Sequence, residues 1–503
     1  MYRNVLELLE KHAVEVPDQI SFSDSAKGYT YKELLDLSKS VGTYLSSRIA
    51  TGGAVFVYMK KSADVFPAIF GSVYAGCYYV PIDDKMPIDR IRKILDILPC
   101  AAIICDKTTE ENAARLGCNQ VIVMSDDVKT AEPDEAGLSN IRRNSIDTDP
   151  LYILFTSGST GKPKGVVVCH RSVIAYADWV CSTFSIDHEA VFGNQTPFYF
   201  SMSVLDIYAT LFAGATLYII PKMLFSFPVR LIEFLNDKKI NTIYWVPSAL
   251  CIVANLGAFD EIRPTNLKRV LFAGEVMPTK QLNIWRRTVP GAVYGNLFGP
   301  TEITDIGVYY VVDREFPDDE PIPIGRNCDN VGLLVVSESG ECLTENNVGE
   351  IGELYIRGTF LALGYYNDPE KTAEAFVQNP LQNAYPETVY KTGDLVYWND
   401  RGELVFSSRK DFQIKHMGNR IELGEIEAAL SAQDGIDTCC CLYDTKNKQI
   451  VAFYSGSRNE EDLHMSLSQS VPAYMMPGIY RHLNSLPYNI NGKLDRKELQ
   501  NMI

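Results

Sequence analysis

The stretch Thr156-Ser157-Gly158-Ser159-Thr160-Gly161-Lys162-Pro163-Lys164-Gly165 holds three glycines, four hydroxyl side chains and two lysines within ten residues. An apolar strand, Leu151 to Phe155, leads into it, and a second, Val166 to Val168, follows. Glycines free the backbone to turn its N–H groups toward an anion, hydroxyls add donors, and lysines add charge. A solvated flexible turn is the plain alternative, but simple turns rarely gather this many special residues. The stretch therefore reads as a loop that holds phosphates. It is not a Walker loop, which needs Gly, four residues, then Gly-Lys-Ser/Thr. Thr156 stands where the first Gly should be, and Pro163 follows Gly161-Lys162. Nor is it a dinucleotide fingerprint, because no two glycines in the chain are separated by one residue.

Outward from the loop, helix-like and strand-like pieces alternate. Val5 to His12 and Tyr31 to Leu45 read as amphipathic helices, and Ala54 to Tyr58 and Ala101 to Cys105 as short buried strands. Thr216 to Ile220, Thr242 to Val246 and Arg269 to Phe272 continue the pattern. Such alternation predicts an α/β fold, a large N-terminal domain of several sheets flanked by helices. Asp126 to Asn144 is polar and charged and reads as a surface connection. Near residue 400 the pattern changes: Val396 to Phe406 reads as strand–turn–strand, and beyond Arg409-Lys410-Asp411 come a strand and a helix, Leu423 to Gln433. The remaining residues suffice for a small α+β domain. The boundary falls at Asp411, giving domains 1–410 and 411–503.

Composition bounds the rest. The 503 residues are 46% hydrophobic and 22% charged, as in ordinary folded proteins. A net charge of -16 disfavours nonspecific binding to nucleic acid or anionic membrane. The twelve cysteines include the run Cys439-Cys440-Cys441 without paired CxxC spacing, which reads as small buried hydrophobes in a reducing compartment. No signal peptide opens the chain, and no apolar run approaches the ~18 residues of a membrane span. A cytoplasmic protein is the expectation.

Further motifs follow in order: Thr30-Tyr31-Lys32-Glu33-Leu34, Ala75 to Asp83, Asn296-Leu297-Phe298-Gly299-Pro300-Thr301-Glu302, Tyr390-Lys391-Thr392-Gly393-Asp394, Gly418-Asn419-Arg420-Ile421-Glu422 and Asn491-Gly492-Lys493-Leu494-Asp495-Arg496. Together with the loop, this series resembles the adenylate-forming (AMP-binding) superfamily along nearly the whole chain. Leu271 to Val276 and Val471 to Pro477 look most like freestanding amino-acid adenylation domains of nonribosomal peptide synthetases and D-alanine–carrier-protein ligases.

The resemblance implies ATP and Mg²⁺, and a role for each matching residue. Thr156, Ser157, Gly158, Ser159, Thr160, Gly161, Lys162 and Lys164 would hold the departing phosphates. Thr301 would donate to the α-phosphate, and Glu302 would hold the metal. Phe298 would stack on adenine, with Asn296 at its amino edge and Gly299 beside it. Asp394 and Arg409 would hold the ribose. Lys493 would bridge the substrate carboxylate and the phosphate, and Asp411 would be the hinge of a mobile C-terminal lid. His170 reads as structural support for the loop, because an ionised carboxylate needs no general base.

The substrate pocket would be Ser201, Met202, Leu205, Tyr244, Leu271, Ala273, Leu297, Asp305 and Ile306. Ser201 replaces the Asp that usually pairs with an α-amino group, and a buried ammonium without a carboxylate costs several kcal/mol. Asp305 either faces water or pairs with an amine elsewhere on the substrate; Asp206 is expected to point away. The resemblance implies activation of a small carboxylic or amino acid and transfer to phosphopantetheine on a separate carrier protein. Coenzyme A is the alternative acceptor, and a noncatalytic nucleotide-binding protein is the contrasting class.

Overall fold

The computed structural model describes residues 2–157, 162–410, 413–487 and 494–503. The chain divides into two compact units. The first comprises Met1–Asp84, Pro99–Leu154 and Val166–Lys410. The second comprises Lys85–Leu98, Phe155–Gly165 and Asp411–Ile503.

The first unit is built on a nine-stranded sheet. Its middle strands, Val293–Phe298, Arg269–Phe272, Thr242–Trp245, Val191–Asn194, Thr216–Ile219 and Ile20–Ser23, lie side by side in that order and all run parallel. A seven-stranded sheet contains Ala54–Tyr58, flanked by Tyr78–Ile82 and Ala102–Cys105. Every residue of those three strands is buried, as parallel strands covered on both faces require. The helices Val65–Tyr74 and Met202–Ala213 are apolar nearly all round, which suits helices enclosed in a core. A third, antiparallel sheet contains Val331–Val336, Gly352–Gly358 and Thr388–Trp398, with Leu404–Arg409 paired to the last of these.

Two of the motifs have local structural explanations. Thr30-Tyr31-Lys32-Glu33 opens the helix Tyr31–Ser46 as a capping box: Thr30 Oγ1 accepts from Glu33 N at 3.2 Å, and Glu33 Oε2 accepts from Thr30 N at 2.8 Å. Gly76 ends the helix Val65–Tyr74 at φ +71°, a left-handed position where side chains are strained, and lets the chain enter the strand Tyr78–Ile82.

In the second unit, Gln413–His416 and Asn419–Glu422 form a hairpin, where the sequence suggested one strand. The helix Leu423–Ser431 follows. Ile436–Asp444, Gln449–Gly456 and Ile479–His482 form a three-stranded sheet. Cys439, Cys440 and Cys441 are buried free thiols of its first strand, in keeping with their reading as small hydrophobes.

One expectation is corrected. Asp126 to Asn144 is not a bare connection: it forms the helices Asp126–Lys129 and Glu135–Asn144. Asp134 caps the second by accepting from Gly137 N at 2.9 Å, and acidic and basic residues sit at its favourable ends. Leu138 is its one buried residue, so the sequence carries almost no apolar period to mark it.

Among the described residues, no helix is long and apolar enough to cross a membrane. His170 begins the helix His170–Thr183 and is buried. Its Nδ1 accepts the Val5 N–H at 3.3 Å. Burial pushes its pKa down to about 3, with Arg142 adding to the fall and Asp147 opposing it. The folded value lies below the unfolded 6.5, so this contribution to stability is complete above pH 6.5 and is lost as pH falls toward 3. His170→Gln keeps an acceptor and removes the titration. Unfolding midpoints followed across that window should fall less steeply in the variant, by up to about 1.4 kcal/mol per pH unit. Identical acid limbs would contradict the assignment.

Candidate active site

Ligands of open α/β sheets bind outside the carboxyl ends of parallel strands. Here those ends carry Tyr244 and Trp245, Leu271 and Phe272, and Asn296 to Phe298, with Trp245, Phe272 and Asn296 in one register row. Beyond Phe298 the chain turns sharply. Thr301–Ile303 makes a single 3-10 turn, and Thr304 follows at φ 71° and ψ -52°. Asp305 N–H reaches back to Ile303 O at 2.8 Å, which closes a γ-turn of the strained hand. Thr304 Oγ1 donates to Phe360 O at 2.8 Å and pins this conformation.

The turn aims its neighbours. Asp305 is 1% exposed, so it does not face water. Its Oδ2 accepts from Tyr176 O–H at 2.7 Å and from Tyr244 O–H at 3.1 Å. Burial first, and then the Asp305 charge, raises both phenol pKa values well above the ordinary value, so both remain donors. Glu302 is fully buried; its Oε1 accepts from Tyr365 O–H at 2.7 Å and its backbone O from Ala362 N at 2.8 Å. Thr301 Oγ1 donates to Ser201 Oγ at 3.4 Å, which brings the residue expected at phosphate beside the residue expected at the acid. Met202, Leu205, Tyr244, Leu271, Ala273, Leu297 and Ile306 are all buried in one apolar cluster.

The residues expected at the nucleoside lie in the same unit. Asp394 and Arg409 face each other in antiparallel register. Arg409 Nη1 donates to Asp394 Oδ1 at 2.9 Å and to Thr392 O at 2.6 Å. Phe298 packs 5.8 Å from the Phe406 ring, centre to centre. Asn296 Nδ2 donates to Pro323 O at 2.8 Å, so that part of its amide is already engaged by backbone.

In the second unit, the start of the loop expected at the phosphates is tied to the strand Asn419–Glu422. Ser157 Oγ donates to Arg420 O at 2.9 Å and accepts from Glu422 N at 3.1 Å. Thr156 Oγ1 is buried without a hydrogen-bond partner among the described residues, as a hydroxyl awaiting an acceptor would be. Lys162 is exposed and Lys164 half-buried. Gly158, Ser159, Thr160, Gly161, Asp411 and Lys493 lie outside the described residues.

Among the described residues, no three His, Cys, Asp or Glu side chains are placed to hold a metal ion together. One hard carboxylate at Glu302 still suits Mg²⁺, which is commonly held by one or two carboxylates plus substrate phosphates. Sequence reasoning did not find Tyr176, Tyr365 or the Thr304 turn, because a tyrosine on a buried helix face or a short strand looks like any core residue.

Residues 9–366 match the AMP-binding enzyme family. The chain belongs to that family. This adenylate-forming ligase is 31% identical over 513 residues to the D-alanine–D-alanyl carrier protein ligase of Lacticaseibacillus rhamnosus, covering 99% of each chain. It is 30% identical over 518 residues to zwittermicin A synthase ZmaJ of Bacillus cereus, covering 98% of this chain and 94% of that one. Its fold matches an artificially fused adenylation–PCP di-domain NRPS, NpsA-ThdA, from Klebsiella oxytoca, with a TM-score of 0.83 at 22% identity over 96% of this chain and 94% of that one. The family uses ATP.

The approach of Gly299 to the turn is tight: an added Cβ would meet Asp305 O at 2.4 Å and Ile306 Cα at 2.7 Å, both backbone. Gly299→Ala in the ligase should therefore displace Asp305 and destabilise the protein by roughly 1–3 kcal/mol. A thermal unfolding midpoint equal to wild type would contradict this packing.

Proposed function

We propose that this ligase activates a small carboxylic or amino acid as its acyl-adenylate and then transfers the acyl group to the phosphopantetheine thiol of a separate carrier protein. The observation that supports it best is the turn after Phe298, which sets Thr301 beside Ser201 and buries Glu302 and Asp305 within five residues of sequence.

In the first step a carboxylate oxygen attacks the α-phosphorus of ATP, and the bond to pyrophosphate breaks. Charge builds on the α-phosphate and on the leaving group, so positioning and electrostatic stabilisation carry the rate. Thr301 donates to the α-phosphate, the loop from Thr156 to Lys164 holds the departing phosphates, and Asp394 and Arg409 orient the ribose. Mg²⁺, when bound at Glu302, neutralises phosphate charge. Lys493 bridges the acid and the phosphate as a compact point charge. In the second step Lys493 leaves, as the domain 411–503 turns about Asp411; the thiol, giving up its proton, attacks the adenylate carbonyl, the C–S bond forms, and the bond to AMP breaks and releases AMP.

Ser201 offers an α-ammonium no carboxylate, whereas the Asp305 carboxylate accepts from the Tyr176 and Tyr244 phenols. The preferred acid is therefore one without a conventionally bound α-amine: a β- or ω-amino acid reaching Asp305, or a hydroxy or aryl acid touching Ser201 and Tyr244.

ATP–pyrophosphate exchange with alanine, β-alanine, γ-aminobutyrate, lactate and 4-hydroxybenzoate tests the class. A β- or ω-amino acid substrate should lose at least about tenfold in kcat/KM with Asp305→Asn. Strong preference for alanine, unchanged by that variant, would refute the substrate reading. Lys493→Ala should slow adenylate formation by roughly a hundredfold or more, and spare thioester formation from a chemically prepared adenylate. Equal loss in both half-reactions would overturn the role of Lys493.

A further inference from the structure

The helix Met202–Ala213 starts one residue after Ser201 and carries a buried carboxylate in its second turn. Asp206 is 0% exposed, and so is Asn194 at the end of the strand Val191–Asn194. Asn194 Nδ2 donates to Asp206 Oδ2 at 2.6 Å and to Thr196 O at 3.3 Å. The other oxygens of the two side chains, Asp206 Oδ1 and Asn194 Oδ1, are sealed from water and have no hydrogen-bond partner among the described residues. A carboxylate and an amide oxygen both present lone pairs, so neither can satisfy the other. Buried acceptors left empty are costly and rare in native proteins.

We propose that Asp206 is a neutral carboxylic acid in the folded protein and that its Oδ1–H donates to Asn194 Oδ1, closing a two-bond ring with the existing Nδ2–H to Oδ2 bond. A single proton then satisfies both empty acceptors. The ring fastens the start of the segment 195–201 to the helix that follows it, so Asp206 and Asn194 are positioning residues for Ser201. The same segment is held from other sides. Ser203 Oγ donates to Phe200 O at 2.7 Å, Lys61 Nζ donates to Gln195 O at 3.0 Å, and that ammonium lies 5.3 Å from the centre of the Phe198 ring.

The charged and titratable groups acting on the ring come from three elements. Burial pushes Asp206 up to about 8; the Asn194 bond and the Lys61 ammonium oppose this, and the Asp305 charge adds to it. Lys61, beyond the strand Ala54–Tyr58, is pushed down to about 7 by burial, and only an ionised Asp206 opposes this. Its side chain keeps some solvent contact, which moderates that fall. Tyr244, on the strand Thr242–Trp245, stays protonated. The folded pKa of Asp206 lies above its reference value of 3.8, so its contribution to stability is full below that pH and is lost as pH rises through about 8. Lys61 slopes the other way, between about 7 and 10.5.

Infrared spectra of the intact protein decide the proton. At pH 7 the wild type should show the carbonyl stretch of a protonated carboxyl that Asp206→Asn lacks, and the band should fade as pH passes about 8. Spectra without such a difference would overturn the proposal. In Asp206→Asn an amide N–H replaces the O–H, so the ring closes without a titrating group. That variant should keep KM for the best acid of the exchange panel within about twofold of wild type, whereas Asp206→Leu, which strands Asn194, should raise it about tenfold. If the two variants behave alike, the positioning role fails. The KM comparison rests on the proposed acid activation. Absence of exchange with every acid would remove that activity, and the infrared band would still decide the ring.

Discussion

The hydrogen bond from Thr304 Oγ1 to Phe360 O holds a β-branched residue at a positive φ, a conformation that costs of order 1–3 kcal/mol and persists only where the surroundings impose it. The chain leaving the strand Val293–Phe298 has few residues in which to serve two purposes. Before the turn it presents Thr301 and Glu302. After the turn it drops Asp305 into the apolar interior, where Tyr176 and Tyr244 receive it. Gly299 belongs to the same constraint, because the returning backbone occupies the space that any side chain there would need.

Much of the fold was legible in the sequence because its signals are local. The strand Ala54–Tyr58 announces itself as an apolar run, and the helix Tyr31–Ser46 announces its start through Thr30 and Glu33. The parts that were not legible depend on a side chain's distant neighbours. The helix Glu135–Asn144 buries one residue and leaves no period to read. Tyr176 lies 129 residues from Asp305 in sequence, and Tyr365 lies 63 from Glu302. No spacing rule links such pairs; only the packing of helix, strand and turn does. The sequence did single out Ser201 as a departure and Asp305 as the one charge of the pocket, and left open whether Asp305 faces water or pairs with an amine on the substrate. Burial removes the first alternative.

The interior of this acidic protein keeps two carboxylates within electrostatic range of one another, and it treats them differently. Asp305 collects phenolic donors on one oxygen. Asp206 collects one amide donor and leaves its other oxygen empty. The two acids are chemically identical, and what differs is the number of donors the surrounding side chains bring to each.

A hydroxyl carries one hydrogen, and the consequence at Ser157 is a contest. Its O–H points to Arg420 O, while its oxygen takes the N–H of Glu422. Another acceptor arriving at Ser157 can receive that hydrogen only as Arg420 O gives it up. Loop and hairpin strand can still share that oxygen through the Glu422 N–H, but its one hydrogen cannot serve Arg420 O and a second acceptor in full at once. Whatever frees that hydrogen from Arg420 O makes it available to another acceptor and leaves the Glu422 N–H bond to join the strand to Ser157.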